Sequence, residues 1–381
     1  MVASLTEQEL ALVTALRHAL HAHPELSGHE QWTKATLMAF LRKHTSLAVV
    51  DRGSWFYAVK KADGHLPAIA FRADMDALPM EEGISLPWGS TIPGVAHKCG
   101  HDGHSAALCA FALLLDRLGI PQDTCLIFQP AEETGAGGAA CAAFLQEAGI
   151  SRCYGLHNWS GFPEGQVLTK PGLAMYASLG LTVSYRGIPA HASFPEDGKN
   201  PTMALCALAE AVEALAGPSV NDRPDGRLAT IVGLSSGGAN FGLAASEGRL
   251  CCTLRAGSDA ALSSLKQAIL KRAEALAATH GLTMESTVSD AFPAVVNDAT
   301  LADAVEQAAC EAGLSFAPLP APFRTSEDFG HYTATVPSVM VFIGNGKNYP
   351  PIHTAEYDFV DTNLPRIASL FYAMAKSLPL S

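Results

Sequence analysis

Leu10, Val13, Leu16 and Leu20 recur at helical spacing behind Thr6-Glu-Gln-Glu9, a capping-box pattern, and Pro24 closes the run. This predicts a helix over about 6–22, and a second helical pattern covers about 30–44. The pattern then shortens. Residues 68–71 (Ala-Ile-Ala-Phe) form an apolar strand that runs into Arg72-Ala-Asp-Met-Asp-Ala-Leu-Pro79, leaving Asp74 and Asp76 at its exit. Farther on, 105–118 reads as a buried helix, 124–128 as a buried strand, 138–148 as a helix and 153–156 as a strand. Such alternation predicts an α/β fold around a mainly parallel sheet. In open sheets of this kind ligands bind beyond the carboxyl ends of the strands. Asp74, Asp76, Glu132, Glu133 and His157 all follow predicted strand ends, so one pocket can collect them.

From about 177 the order becomes strand 179–186, helix 201–216, strand 228–234, strand 249–255, helix 260–279 and strand 282–289. That β-α-β-β-α-β order describes a separate small α+β domain. The α/β texture then resumes with helix 299–312, strand 338–343 and a final helix near 363–378. We therefore expect a catalytic domain built from 1–176 and 292–381, with 177–291 inserted as a lid or dimerisation domain. The placement of His353 supports the split, because it belongs chemically with the first half.

Composition narrows the partners. The chain has 381 residues, 48% of them hydrophobic and 16% charged, enough for two domains with a core each. A net charge of −12 disfavours nucleic acid and anionic membranes as partners and leaves a small molecule. The start, Met1-Val-Ala-Ser-Leu-Thr-Glu, has no basic segment followed by an apolar one, and no run approaches the roughly 18 apolar residues of a membrane span. The expected location is cytoplasmic. Cysteine usage agrees, since nine cysteines are scattered mostly through apolar segments. Cys109, Cys125, Cys141 and Cys206 read as core thiols, whereas Cys99 sits among Gly, His and Asp.

Cys99 belongs to His97-Lys-Cys-Gly-His-Asp-Gly-His104, which packs a thiol, three imidazoles and a carboxylate into eight residues. Gln129-Pro-Ala-Glu-Glu-Thr134, Gly155-Leu-His-Asn158 and Ile352-His-Thr354 add further ligand types beside apolar segments. A divalent ion of the zinc type takes thiolate, imidazole and carboxylate ligands and, in a catalytic site, keeps one position for water. It lowers that water's pKa from about 16 to about 7. Cys99, His101, Glu133, His157 and His353 are five candidate ligands, enough for two ions sharing a bridge. Glu132, beside a ligand yet able to face the water, is the candidate general base and proton donor to a leaving amine. His97, Asp102 and His104 are further ligand candidates, and Asp102 or His104 could instead orient the ligands. His157 alone on an apolar strand would read as a core histidine, and Glu132-Glu133 alone as a solvated pair. Convergence at the strand ends of one sheet separates the metal reading from those. His18, His21, His23, His29, His44, His65, His280 and His331 are read as structural or surface residues.

Together with His23-Pro-Glu-Leu26, Gly187-Ile-Pro-Ala-His191 and Ser326-Glu-Asp-Phe329, these motifs resemble the amidohydrolase branch of the aminoacylase and carboxypeptidase metallopeptidase superfamily. That branch includes hippurate hydrolase, indole-acetyl-amino-acid hydrolases and N-acetyl-diaminopimelate deacetylase. The resemblance runs in motif order from about residue 17 to 361. It implies hydrolysis of an N-acyl amino acid to a carboxylic acid and a free amino acid, at two divalent ions held by Cys99, His101, Glu133, His157 and His353. Glu132 becomes the acid/base. It further implies a homodimer formed through the inserted domain. His191 would reach the partner subunit's site and stabilise the oxyanion, a contribution of about 3 kcal/mol per donor. Asn240 and Arg255 resemble the asparagine and arginine that bind the substrate's amide and carboxylate.

The family's Asn-Val-Ile-Pro-Asp stretch reads here Asn240-Phe-Gly-Leu-Ala-Ala-Ser246, and the interval to Arg255 is longer. Arg324 is therefore an alternative carboxylate partner. Zinc, manganese, cobalt and nickel all suit the ligand set. A dipeptidase or carboxypeptidase on the same site is the nearest rival, and a non-catalytic binding protein of the same fold is a rival of another class.

Overall fold

Helix α1 (Glu7–Ala22) starts at the predicted capping box: the Thr6 hydroxyl accepts the Glu9 N–H and the Glu9 carboxylate accepts the Thr6 N–H. Two of the unpaired donors at the helix start are satisfied in this way. Helix α2 (Gln31–His44) has no side-chain cap of its own, and Glu25 accepts the Trp32 and Thr33 N–H groups instead, at 3.1 and 2.8 Å. This computed structural model describes residues 2–62, 66–217 and 226–377; His65 lies outside them.

The chain divides into two units. One comprises Met1–Ala174, Val295–Pro322 and Glu327–Ser381, the other Met175–Ala294 and Phe323–Ser326. The tail 292–381 is thus not one continuous stretch of the first unit. Phe323 returns to bridge Met175, and its carbonyl, with that of Thr325, accepts the Tyr176 N–H.

In the first unit the strands are β1 (Ala48–Asp51), β2 (Phe56–Lys60), β3 (Leu66–Asp74), β4 (Gln122–Gln129), β5 (Ile150–Trp159), β6 (Val167–Thr169), β7 (Phe316–Pro318) and β8 (Ser338–Gly344). They form one sheet in the order β1-β2-β4-β3-β5-β8-β6-β7. The central pairs β4–β3, β3–β5 and β5–β8 are parallel, as expected. The edge pairs β1–β2 and β2–β4 are antiparallel, as is β8–β6. β1, β2, β6 and β7 were not among the predicted strands, because three to five residues carry too little periodicity.

Alternation along β3 sends Ile69, Phe71 and Ala73 into the main core. Arg72 and Asp74 consequently face the other side of the sheet. On the core side lies α3 (His101–Leu118), buried from His101 to Leu115, as a helix that is apolar on every face must be. Phe71 packs against Phe111 of α3 and against Phe371 of the last helix (Asn363–Ser377), with ring centroids 4.7 and 4.9 Å apart. On the opposite side, Phe144 of helix α4 (Gly138–Glu147) meets Tyr57 at 4.4 Å.

Helix α3 begins at His101, four residues before the predicted 105. Gly100 makes this possible at φ 99°, where a Cβ would lie 2.3 Å from Asn158 Oδ1. Asp102 in the first turn suits the positive end of the helix. His101, Asp102 and His104 are therefore helical residues fixed at the carboxyl edge of the sheet.

The second unit carries strands Ala177–Arg186, Leu228–Ser236, Glu247–Ala256 and Thr283–Phe292 in one antiparallel sheet, with Ala177–Arg186 and Glu247–Ala256 central. Helices Thr202–Ala216 and Asp259–His280 accompany it, matching the predicted β-α-β-β-α-β order. Leu179, Leu181, Val183 and Tyr185 alternate into its core, and the Tyr185 hydroxyl donates to the Ala273 carbonyl at 2.8 Å. Among the described residues no helix is long and apolar enough to cross a membrane.

Candidate metal centre

Four strand exits of the first unit and the start of α3 converge. β3 ends in Asp74 with Asp76 just beyond, β4 is followed by Glu132 and Glu133, β5 carries His157 near its end, and the segment after β8 carries His353. Cys99 Sγ lies 3.3 Å from His157 Nε2 and 3.2 Å from His353 Nε2. His101 Nε2 lies 3.8 Å from Glu133 Oε1 and 3.9 Å from Glu132 Oε2, and Glu133 Oε1 is 3.4 Å from His353 Nε2. Cys99 belongs both to a triad with His101 and His157 and to one with Glu133 and His353, each with all ligand atoms within 4.8 Å.

The far sides of the rings are held by the protein. His101 Nδ1 sits 3.0 Å from the Asp76 carbonyl and 3.1 Å from Asp76 Oδ1, and His157 Nδ1 sits 2.7 Å from the Asn158 carbonyl. Both Nε2 atoms are thereby aimed inward, the tautomer a metal ligand requires. His353 adopts φ 61°, unusual for a residue with a side chain, and its N–H is fixed to the Lys98 carbonyl at 2.7 Å. Strain of this kind persists where the surroundings over-determine it.

Electrostatics test whether a cation fits. Burial pushes the Cys99 thiol well up, and the nearby carboxylates of Glu133, Glu132 and Asp74 push it farther. For His101, burial alone would lower the pKa, but Asp74 and Asp76 raise it to about 10. Burial holds His157 well below the usual imidazole range, with help from His104. Glu132 lies well above the usual carboxylate range, through burial first and then the charges of Glu327 and Glu133. His101 Nε2 and Glu133 Oε1 are buried without any hydrogen-bond partner. Buried polar atoms are ordinarily paired. A thiol, three imidazoles and a carboxylate that point their free atoms at one another fit divalent metal, which would turn the thiol into a thiolate ligand.

The weaker ligand candidates are otherwise engaged. His104 Nδ1 lies 2.6 Å from Asp74 Oδ1 and its Nε2 2.6 Å from Asn158 Oδ1, so it braces the ligand-bearing strands. Asp102 turns beneath α3, where its Oδ2 accepts from Arg17 Nε at 3.0 Å and lies 2.8 Å from His21 Nδ1. His97 is buried, with neither ring nitrogen paired in the protein. His21, read as structural, does belong to this network, whereas His23 is exposed and stacks on Trp32.

Sequence reasoning passed over Arg72. Fully buried, it donates to Gln129 Oε1 (2.9 Å), Asp74 Oδ2 (2.6 Å) and Asp328 Oδ1 (2.8 Å), and lies 2.9 Å from Glu327 Oε1. An arginine inside the apolar run Ala-Ile-Ala-Phe-Arg-Ala was the available signal, since a buried guanidinium demands carboxylates.

In the second unit His191 is exposed on a short strand, paired with Leu243 across from it, and its Nδ1 accepts the Ser193 N–H at 3.1 Å. Asn240 lies on the same arm, its Oδ1 accepting the Gly242 N–H at 3.1 Å. Arg255 stands at the other end of strand Glu247–Ala256, donating from Nη1 to the Arg324 carbonyl at 2.9 Å and Ser326 Oγ at 2.8 Å. His191 and Asn240 are thus brought together, and Arg255 is set apart from them beside Arg324.

Residues 70–377 match the model of peptidase family M20/M25/M40. The chain is 31% identical over 378 residues to the N-acetyl-L-cysteine deacetylase of Bacillus subtilis strain 168, covering 98% of this chain and 90% of that one. It is 27% identical over 364 residues to the N-acetylcysteine deacetylase of the same strain, covering 94% of each. The YxeP protein of Bacillus subtilis, a dinuclear metal binding peptidase from the M20 family, superposes with TM-score 0.80 at 25% identity, covering 97% of this chain and 98% of that one. With the fold, the paired triads and these relatives together, the chain belongs to peptidase family M20/M25/M40 and is a metal-dependent amidohydrolase.

Proposed function

We propose that the protein hydrolyses N-acyl amino acids, releasing a carboxylic acid and a free amino acid. The observation that carries this reading is Cys99 shared between two ligand triads, with Glu132 Oε2 3.9 Å from His101 Nε2 beside them. The deacetylase names of the Bacillus subtilis relatives support an N-acyl substrate. Cys99, His101, Glu133, His157 and His353 would hold two divalent ions. Bound there, divalent metal supplies Lewis acidity and a water acidic enough to be deprotonated near neutral pH.

Glu132 is suited to the proton traffic. Its buried carboxylate stands beside the ligand triads, with Oε2 3.9 Å from His101 Nε2, where it can face a water held there. As water oxygen bonds to the acyl carbon, its proton passes to Glu132; as the C–N bond breaks, Glu132 returns that proton to the amine nitrogen. His191, from the partner subunit, would donate to the oxyanion. The homodimer this requires is supported by the edge strand Leu228–Ser236, which exposes Val232 and Leu234. Asn240, with Arg255 or Arg324, would hold the amide and carboxylate of the substrate.

Free amino acid released from a panel of N-acetyl, N-benzoyl and longer N-acyl amino acids tests the reading, with Glu132→Gln beside the parent. The parent should turn over at least one class, and Glu132→Gln should lose about 100-fold or more in kcat while keeping its metal. Full turnover by Glu132→Gln would remove the base. Activity only on substrates with a free ammonium would point to a dipeptidase, and silence across the panel with metal bound to a binding protein. Sedimentation showing a fully active monomer would remove the subunit-bridging role of His191.

A further inference from the structure

The segment His23-Pro-Glu-Leu-Ser-Gly-His-Glu30 has no part in the chemistry above, yet it lies across the exits of β3 and β4. Leu26 bridges Ala77, the Ala77 N–H donates to the Glu25 carbonyl at 2.8 Å, and Ser27 Oγ donates to Asp76 Oδ2 at 2.6 Å. The segment ends in Glu30, only 4% exposed, whose Oε1 accepts the N–H of Ala131 at 2.7 Å. Ala131 immediately precedes Glu132 and stands at φ 53°, in the left-handed region that disfavours any residue with a Cβ. Its carbonyl is held as well, by the N–H groups of Ala136 and Gly137 at 3.1 and 3.3 Å.

The φ of the residue before the base sets the direction in which the base leaves the chain. A left-handed alanine relaxes towards the ordinary wells unless its peptides are pinned. The neighbouring ligand is secured separately, since Asp76 Oδ2 accepts the Glu133 N–H at 3.0 Å. Loss of the Glu30 contact therefore releases the N–H side of the left-handed turn, while the Ala131 and Glu132 carbonyls stay held and Glu133 keeps its own anchor.

We propose that Glu30 is a positioning residue for the amidohydrolase reaction: its buried carboxylate fixes the left-handed Ala131 peptide and so aims Glu132 at the reacting water. The inference rests on Glu132 being the base.

The test compares Glu30→Ala, Glu30→Gln and Glu132→Gln in metal-loaded protein, measuring kcat, KM and bound metal on whichever N-acyl amino acid the parent hydrolyses. Glu30→Ala is expected to lose tenfold or more in kcat, with KM within twofold and the metal-to-protein ratio unchanged. Glu30→Gln keeps an oxygen acceptor and is expected to recover at least a third of the parental kcat. The proposal is overturned if kcat of Glu30→Ala stays within twofold, if its metal content falls in proportion to activity, or if Glu30→Gln is no better than Glu30→Ala. Should Glu30→Ala fail to fold, Glu30→Asp replaces it, because its carboxylate is one methylene short of the Ala131 N–H that Glu30 holds at 2.7 Å. A kcat at least threefold below that of Glu30→Gln, with metal content unchanged, supports the proposal, and a kcat equal to that of Glu30→Gln overturns it. An active Glu132→Gln would remove the base assignment itself, and it reads out separately from every Glu30 result.

Discussion

Two buried groups of ionisable residues lie at the same edge of the sheet, and they are built on opposite plans. Around Arg72, three carboxylates share one guanidinium, and Asp328 also accepts from Gln129 Nε2 and from the Gly138 N–H at 2.7 Å. Around Cys99, the groups that meet are a thiol, imidazoles and carboxylates, and two of their buried atoms have no partner. Lys98, next in sequence, turns its ammonium to Glu82 and to the Tyr357 carbonyl instead. The first group has a guanidinium at its centre that binds all three carboxylates, so each has a cationic partner as soon as the chain folds. The second is complete only when a cation from outside enters, which is what a metal site requires.

Removing metal is the broadest way to break the contrast. Chelation should abolish turnover and leave the Arg72 group in place, so activity should return on adding divalent ion. A chelated protein that stays unfolded after metal is restored would make the Cys99 group structural.

Next in size is Arg72→Met, which strands buried carboxylates. We expect a loss of about 3–5 kcal/mol of stability, with or without metal, measured by denaturant unfolding. Cys99→Ala should by contrast leave metal-free stability within about 1 kcal/mol, since the side chain is small and its contacts with His157 and His353 are weak sulfur hydrogen bonds. An equal loss in both variants would erase the distinction between the two groups.

A smaller effect concerns pH. Burial alone would raise the pKa of Glu82, yet its bonds to His21 and Lys98 lower it to about 2. A depressed folded pKa gives stability that is present above the unfolded value of about 4.3 and lost as pH falls towards 2. Melting temperatures of metal-free protein between pH 5 and 2 should therefore fall less steeply in Glu82→Gln than in the parent; parallel profiles would contradict the pairing. Smallest is Thr6→Ala at the α1 cap, about 1 kcal/mol by the same unfolding measurement, with no change in kcat.

Local pattern exposed part of this design and distance hid the rest. The caps and period of α1, the buried run of α3 and the order of strands and helices in the second unit are all written in neighbouring residues. The candidate ligands were legible because their residue types are rare at strand ends. Arg72 meets Asp328 across 256 positions and Glu30 meets Ala131 across 101, and no spacing rule reports such pairings. The early start of α3 depends on Gly100 passing close to Asn158, again a contact between distant segments. Arg255 shows the converse, since its residue type suited a substrate carboxylate while its guanidinium also serves Arg324 and Ser326.

Titration of the metal-free protein with Co²⁺, followed by thiolate-to-metal charge-transfer absorption, tests the Cys99 centre most directly. Two equivalents should bind per chain with that absorption present in the parent, unchanged in Glu132→Gln and absent in Cys99→Ala. Binding without thiolate absorption, or absorption that survives Cys99→Ala, would contradict a centre built around Cys99.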